Sequence, residues 1–348
     1  MHGMTRYFLR RLLLIPPTFL CITFLVYAAL RLVPGGPIEQ AEFQIRLAMM
    51  EEGGGGGLMD RSGELQIPES AMRELQRYYR LDRSIPVGYL HWLGGILRLD
   101  FGRSYVHGEP VLGVLAARLP VSLYFGLIGY LAAWVLCIPL GVLKAVRHRS
   151  AFDTWTSVLV FLGHAVPGFV ACLLLLVLFG GGSWWDLVPL GGFRSEGWEQ
   201  LGPAARALDQ LRHTWVPVAG YLVGGFAAMT MLQKNSLLEN LGADYVRTAF
   251  AKGLSEGRVI FVHALRNSLI PVFANIGNAL GLLFAGSFLI EKTCNIPGMG
   301  LLGYEAVIQR DYPVIMGTLV FLVLIRLAGN ILSDAAWALL DPRVRFEG

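Results

Sequence analysis

The sequence predicts an all-α integral membrane protein with about six transmembrane helices, and three observations support this fold class. Of the 348 residues, 54% are hydrophobic and only 16% are charged, whereas soluble domains carry about 25% charged residues. The mean hydropathy is positive, at +0.53. Several windows of about 20 residues are apolar enough to cross the hydrocarbon core of a bilayer as helices.

Six apolar windows are predicted to span the membrane. They cover residues 12–33, 121–143, 155–180, 215–232, 269–290 and 314–340. The third window contains Pro167, and we expect a kink there because proline lacks a backbone donor and clashes with the preceding turn. The fourth window contains Gly220, Gly224 and Gly225, which favour close packing against a neighbouring helix.

Lysine and arginine residues predict the orientation of the spans. Six spans place both termini on one side, together with the segments 144–154 and 233–268. Basic residues are denser on this side than on the other, so we predict that it is cytoplasmic. The chain then divides into a tail and first span (1–33), an external segment (34–120) and a five-helix core (121–348).

The external segment contains five consecutive glycines at 53–57. They indicate a flexible linker, because glycine has the largest backbone entropy to lose on ordering. Residues 69–79 are predicted to form a short helix. A second helix is predicted at 88–99, where an apolar stripe lies either in the outer membrane interface or against the protein's own helices. The stripe consists of Tyr89, Trp92, Leu93, Ile96 and Leu97.

Other classes of function find little support in the sequence. The net charge of +4 is too small to indicate a nucleic-acid partner. The four cysteines, Cys21, Cys137, Cys172 and Cys294, suggest neither a disulfide framework nor a metal site. The P-loop pattern that cradles ATP phosphates is missing from the sequence. We therefore expect no catalytic residues, no metal and no bound cofactor in this chain.

The most informative segment is the predicted cytoplasmic loop at 233–268. Residues 245–252 favour a helix, and Gly253 is expected to end it in a left-handed conformation. Ser255 is then expected to cap a second helix through its hydroxyl. The residues alone leave two interpretations open: a hairpin presented to a partner in the cytoplasm, or an amphipathic hairpin lying on the inner leaflet.

The segment Arg247-Thr-Ala-Phe-Ala-Lys-Gly253 resembles the EAA loop of ABC-importer permeases, in the form found in the dipeptide and oligopeptide branch. Two positions depart from the general pattern: Arg247 stands in place of a glutamate, and Arg266 in place of a frequent proline. The likeness extends to residues 7–40, 99–104, 264–271 and 340–343. The glycine-bearing insertion and the segments 303–313, 330–334 and 345–348 are similar to Yej-type importers, which are associated with microcin C and other peptides.

The resemblance implies a type I importer (MetI-like) permease fold in the bacterial inner membrane. It implies that the chain helps to import peptides or peptide-like compounds, coupled to ATPases through residues 242–257. The expected partners are a second homologous permease, two ATPase subunits that bind ATP and Mg²⁺, and an external solute-binding protein. The alternative is a stand-alone secondary transporter or another non-ABC channel. The expected coupling residues are Tyr245, Arg247, Thr248, Ala249, Lys252, Gly253 and Ser255.

Polar side chains inside spans are costly and require a partner or a function. Arg326 either lines the translocation path or pairs with a neighbouring acid. Asp334, near the cytoplasm, is expected to form a salt bridge or hydrogen bond to an inner loop, with substrate contact as the alternative. His164 is expected to be an interhelical donor. Glu291, directly after the fifth span, is expected to be an interface anchor. The candidates for the translocation path are Asn275, Asn278, Arg326 and Asn330.

Overall fold

The computed structural model describes residues 2–33, 36, 38, 83–182, 184–274 and 286–340. Within these residues the structure is helical, with no β-structure beyond the isolated bridges Arg103–Pro110 and Gly180–Val188. The all-α prediction is therefore confirmed. The described helices are α1 (His2–Leu32), α2 (Ile85–Ile96), α3 (Val111–Val146), α4 (Ala151–Ala165), α5 (Gly168–Phe179), α6 (Pro203–Leu241), α7 (Asp244–Ala251), α8 (Glu256–Arg258), α9 (Leu265–Ser268), α10 (Ile270–Ala274), α11 (Phe288–Thr293), α12 (Met299–Ile308) and α13 (Tyr312–Leu340), with a 3-10 turn at Trp198–Gln200 and a π-helical segment at Val259–Ala264.

Four of the described helices are long and apolar enough to cross a membrane. They are Arg6–Leu32, Val111–Val146, Pro203–Leu241 and Tyr312–Ala336, which match the first, second, fourth and sixth predicted spans. Half of the fifth predicted span, residues 275–285, lies outside the described residues, as do the glycine run at 53–57 and the predicted helix at 69–79. The three-part division of the chain stays a prediction.

The third predicted span is occupied by α4 and α5, whose axes differ by 93°. Val166 and Pro167 at the junction have ψ angles of 120° and 138°, which are not helical. The residue before a proline is disfavoured in the helical region, and the proline itself has no N–H to donate. The predicted kink is confirmed, and it is sharp enough for a broken span or a re-entrant loop.

Two helices extend beyond their apolar windows. α6 begins at Pro203, after Gly202 in an extended conformation, because proline is well suited to the first helical position. It continues to Leu241, so both of its ends contain polar turns that hydropathy does not detect. α3 begins at Val111, and residues 111–120 of the predicted external segment are therefore helical.

The expected close packing of the fourth span holds at Gly220 and fails at Gly224 and Gly225. A Cβ atom on Gly220 would clash with the Cys172 sulfur and meet the Gly168 carbonyl oxygen at 3.0 Å. A Cβ atom on Gly224 or Gly225 would meet nothing within 4 Å. Of the three glycines, Gly220 is therefore the one at the close approach of α5 and α6.

The chain forms two compact units. The first comprises Met1–Leu13, Ala117–Leu302 and Leu322–Gly348, and the second comprises Leu14–Ala116 and Gly303–Phe321. Two buried clusters belong to the first unit. One contains Val121, Phe125, Cys172, Leu176, Val188, Val216, Val218, Ile290, Cys294 and Ile296. The other lies beneath the predicted loop and is described below.

In the second unit, α2 packs against α1. Tyr89 is buried, and its hydroxyl lies 2.9 Å from Thr23 Oγ1 and donates to the Leu20 carbonyl at 3.1 Å. The sequence left two environments open for the apolar stripe. Tyr89 has the second of them, because it packs against the protein's own helix α1. Leu97 follows the end of α2 and is 80% exposed, so it does not belong to the packed stripe.

Candidate functional site

The predicted loop folds as a helical hairpin, here called the Gly253 hairpin (residues 244–258). α7 ends at Ala251, the chain turns, and α8 begins at Glu256. Gly253 has a φ of +76°, the left-handed conformation that the sequence predicts. Ser255 occupies the N-cap position of α8, but its side chain makes no capping hydrogen bond. The predicted N-cap position of Ser255 is therefore confirmed, but the predicted capping hydrogen bond of its hydroxyl is wrong.

The inner face of the hairpin packs against the rest of the protein. Val246 and Ala249 are buried in a cluster with residues of α3, α6 and the π-helical segment. The other buried members are Val142, Ala145, Leu237, Val259 and Ala264. Ala249, one of the expected coupling residues, is 7% exposed and packs inward, because it lies three residues after Val246 on the same helical face. Its role in coupling stays a prediction.

The outer face of α7 is accessible to a partner. Tyr245, Arg247 and Thr248 are exposed there, and Lys252 is exposed immediately after the helix. The Tyr245 hydroxyl donates to Asn240 Oδ1 at 2.6 Å. The Arg247 Nη1 atom lies 3.6 Å from Asp244 Oδ1 in a highly exposed pair, which contributes little to stability because water screens it.

The aromatic residue of this surface, Phe250, was not predicted from the sequence. It is 47% exposed, and Phe261 and Val262 in the π-helical segment that follows are 62% and 54% exposed. The spacing offered a signal for Phe250, since it lies three residues after Arg247 and therefore on the same side of the helix. The π-helical segment itself was not predicted; such segments frequently occur at functional sites.

A buried cluster of charges lies near the hairpin, at the end of α6 that leads into it. Lys234 Nζ donates to Asp153 Oδ1 and Oδ2 at 2.7 and 2.8 Å. Lys144 Nζ lies 3.2 Å from Asp153 Oδ1 and also donates to the hydroxyls of Thr156 and Ser157 at 2.9 and 2.7 Å. From the sequence, both lysines served only to predict the orientation of the spans in the membrane. The cluster instead connects α3, α4 and α6.

The turn of the hairpin also matches a pattern from another class of protein. Gly253-Leu-Ser255-Glu-Gly257 has the Gly-x-Ser-x-Gly spacing of serine hydrolases, in which the serine lies on a sharp turn between a strand and a helix. Here the serine follows a helix, and its hydroxyl makes no hydrogen bond within the described part of the chain. The match therefore gives no support to a nucleophile at Ser255.

The candidates for the translocation path are only partly described. Asn275 and Asn278 lie outside the described residues. Arg326 is exposed near the middle of α13, and it makes no ion pair or hydrogen bond with any residue that the structure describes. Asn330 is half-buried one turn further along the helix.

Two other polar residues have clear surroundings. Asp334 Oδ2 lies 2.8 Å from Arg11 Nη1, so the predicted salt bridge is confirmed, but its partner lies on α1 and not in an inner loop. His164 is exposed beside the α4–α5 bend, in a mainly apolar groove of about 380 Å³ that Leu222 and Phe226 of α6 also line. It makes no hydrogen bond to another described residue; the expected interhelical bond is absent from this part of the chain.

Comparisons with known proteins identify the family of the chain. Residues 137–346 match the family described as binding-protein-dependent transport system inner membrane component. The chain is 39% identical to the inner membrane ABC transporter permease protein YejB of Escherichia coli O157:H7, over 99% of the chain and 100% of that protein. It is 36% identical to the peptidoglycan transport system permease protein YejB of Agrobacterium fabrum, over 99% of each chain.

A third relative is the oligopeptide transport system permease protein AppB of Bacillus subtilis, which is 33% identical over 99% of the chain and 100% of that protein. Each of these matches covers 99% of the chain. The protein therefore belongs to the family of inner membrane components of binding-protein-dependent transport systems.

Proposed function

We propose that this chain is one of two homologous permease subunits of an ATP-driven importer that moves peptides or peptide-like compounds into the bacterial cytoplasm. Relatives that match over their full length are named for oligopeptide or peptidoglycan transport, which supports a peptide-like substrate. Two partner ATPase subunits bind ATP and Mg²⁺, and an external solute-binding protein delivers the substrate. The chain contributes the path and has no ATPase site of its own.

The Gly253 hairpin is the observation that carries this proposal. Its outer face offers exposed basic and aromatic groups, while its inner face packs against α3 and α6. A short helix presented to a groove on a partner is a common mode of recognition. Because the inner face is buried, a displacement of the hairpin by an ATPase passes directly to the long helices. The hairpin thereby couples ATP hydrolysis to movement of the path.

The function is tested by reconstituting the chain with the second permease, the ATPases and the binding protein in proteoliposomes. We expect peptide uptake that requires ATP and the binding protein. Uptake by this chain alone, driven by an ion gradient, would instead establish the alternative of a stand-alone secondary transporter.

The proposed orientation places both termini and the hairpin in the cytoplasm and residues 53–57 outside. Single cysteines at Lys252 and Gly55, on a cysteine-free background, test it with a membrane-impermeant thiol reagent in intact spheroplasts. We expect labelling at position 55 alone. Labelling at position 252 alone would invert the orientation.

A further inference from the structure

α13 contains two charged side chains, and the described part of the chain gives a partner to only one of them. Asp334 is paired with Arg11 at 2.8 Å. Arg326 is exposed and has neither an ion pair nor a hydrogen bond to a described residue. The two charges on this helix therefore require different explanations.

The depth of Arg326 makes its exposure to lipid unfavourable. It is the middle residue of α13, and at 1.5 Å per residue it lies about 12 Å along the helix axis from Asp334, which is predicted to lie near the cytoplasmic side. Arginines near a helix end extend their side chains to the membrane interface, but this distance is too long for a single side chain. A charge at mid-membrane is tolerated where it faces a polar cavity or a partner. The side of α13 that carries Arg326 is therefore not in contact with lipid in the assembled transporter.

We propose that Arg326 faces the translocation path and binds the carboxylate of the passing peptide, an inference that rests on the proposed peptide import. The guanidinium group presents its N–H donors in a planar fork that matches a carboxylate. An unmodified linear peptide carries a C-terminal carboxylate at neutral pH. Asn330 lies four residues later on the same helical side, so its amide is placed to bond with the peptide backbone.

The competing arrangement is a permanent ion pair between Arg326 and an acid of the second permease. Asp334 forms an ion pair that links two helices, and its partner, Arg11, belongs to the same chain. Arg326 has no such partner among the described residues. The two arrangements differ in their consequences: a fixed ion pair is needed for assembly of the complex, whereas a contact with the passing peptide is needed for transport alone.

The test compares wild type, Arg326→Gln and Arg326→Lys in the reconstituted complex. Arg98→Gln is the matched control, because Arg98 is an exposed arginine outside the candidate spans. Uptake is measured for one peptide as the free acid and as its C-terminal amide, each at a concentration that saturates the binding protein. We expect wild type and Arg98→Gln to prefer the free acid, Arg326→Gln to lose about tenfold or more of that uptake, and Arg326→Lys to be intermediate.

The outcomes separate this inference from the function on which it rests. Wild-type preference retained by Arg326→Gln, or no preference in wild type, would overturn the role of Arg326 and leave peptide import intact. Failure of Arg326→Gln to co-purify with the second permease, together with wild-type preference in Arg326→Lys, would establish a structural ion pair and also overturn it. Absence of ATP-dependent uptake of either peptide by wild type would refute peptide import itself.

Discussion

Lys234 on α6 donates to both carboxylate oxygens of Asp153 on α4, at 2.7 and 2.8 Å. Lys144 on α3 approaches the same carboxylate at 3.2 Å. One aspartate thus connects three helices near the end of α6 that leads into the Gly253 hairpin. All three side chains are buried, so water and salt screen these contacts far less than a surface pair.

Replacement of Asp153 should destabilise the protein severely. Asp153→Asn should lower the free energy of unfolding by about 3–5 kcal/mol, because two buried ammonium groups lose their counter-charge. Lys234→Met should cost less, since Lys144 still pairs with the aspartate. Thermal unfolding of the detergent-solubilised protein measures both changes.

The control is Asp244→Asn, the same chemical change in the exposed pair with Arg247. Asp244→Asn should change the free energy of unfolding by less than about 0.5 kcal/mol, as most surface substitutions do. Similar stability losses in Asp153→Asn and Asp244→Asn would show that the buried cluster does not hold the three helices together.

The features that sequence analysis predicted correctly depend on local backbone geometry. The bend at Pro167 and the left-handed turn at Gly253 follow from the covalent structure of proline and glycine, whatever the tertiary fold. The cluster around Asp153 was not predictable in this way, because Lys234 is distant in sequence and its partner is decided by how α4 and α6 pack. Ala249 lies between these cases: the spacing from Val246 could have shown that it faces inward.

Glu291 is a second buried carboxylate, and its expected role as an interface anchor is wrong. It is 1% exposed; Oε1 accepts a hydrogen bond from the Ser122 hydroxyl at 3.1 Å, and Oε2 accepts one from the Leu301 N–H at 2.7 Å. Burial raises the pKa of Glu291 above its ordinary value. The position of Glu291 next to an apolar window suggested that it lies at the membrane interface, but the neighbouring loop encloses its side chain.

The raised pKa of Glu291 predicts a pH dependence of stability. The folded protein holds this proton more tightly than the unfolded protein, so stability falls as pH rises from the ordinary carboxyl range through the raised pKa. Glu291→Gln removes this titration and should flatten the decline, measured as the thermal midpoint between about pH 4 and pH 8. Glu109→Gln, at an exposed glutamate, serves as control. Parallel curves for wild type and Glu291→Gln would argue against a buried titrating carboxyl.

The two faces of α7 should respond differently to the same added side chain. Ala249→Leu should destabilise the protein by about 1–3 kcal/mol, because it overpacks the buried cluster. Thr248→Leu, one residue away on the exposed face, should leave thermal stability nearly unchanged and weaken ATPase binding. Pull-down of the ATPase subunits and thermal unfolding separate these effects. Normal ATPase binding by a stable Thr248→Leu variant would place the docking surface elsewhere.

The turn at Gly253 provides the sharpest test of coupling, because the hairpin contains a matched glycine. A Cβ atom at Gly253 or at Gly257 would meet no atom within 4 Å, but only Gly253 has a positive φ, of +76°. Gly253→Ala should therefore cost about 1 kcal/mol or more through backbone strain alone. Gly257→Ala, in a helical turn, should be neutral or slightly stabilising.

The strain at Gly253 should appear as lost coupling, since relief of the strain changes the angle between α7, which precedes the turn, and α8, which follows it. We expect Gly253→Ala, and more strongly Gly253→Val, to reduce peptide-stimulated ATPase activity and peptide uptake in the reconstituted complex while membrane insertion stays normal. Gly257→Ala should retain both activities. Wild-type coupling in Gly253→Val at normal expression would mean that the hairpin does not transmit ATP-driven movement. Equal losses in the Gly253 and Gly257 alanine variants would mean that exposure of a new methyl group, and not the left-handed turn, is responsible.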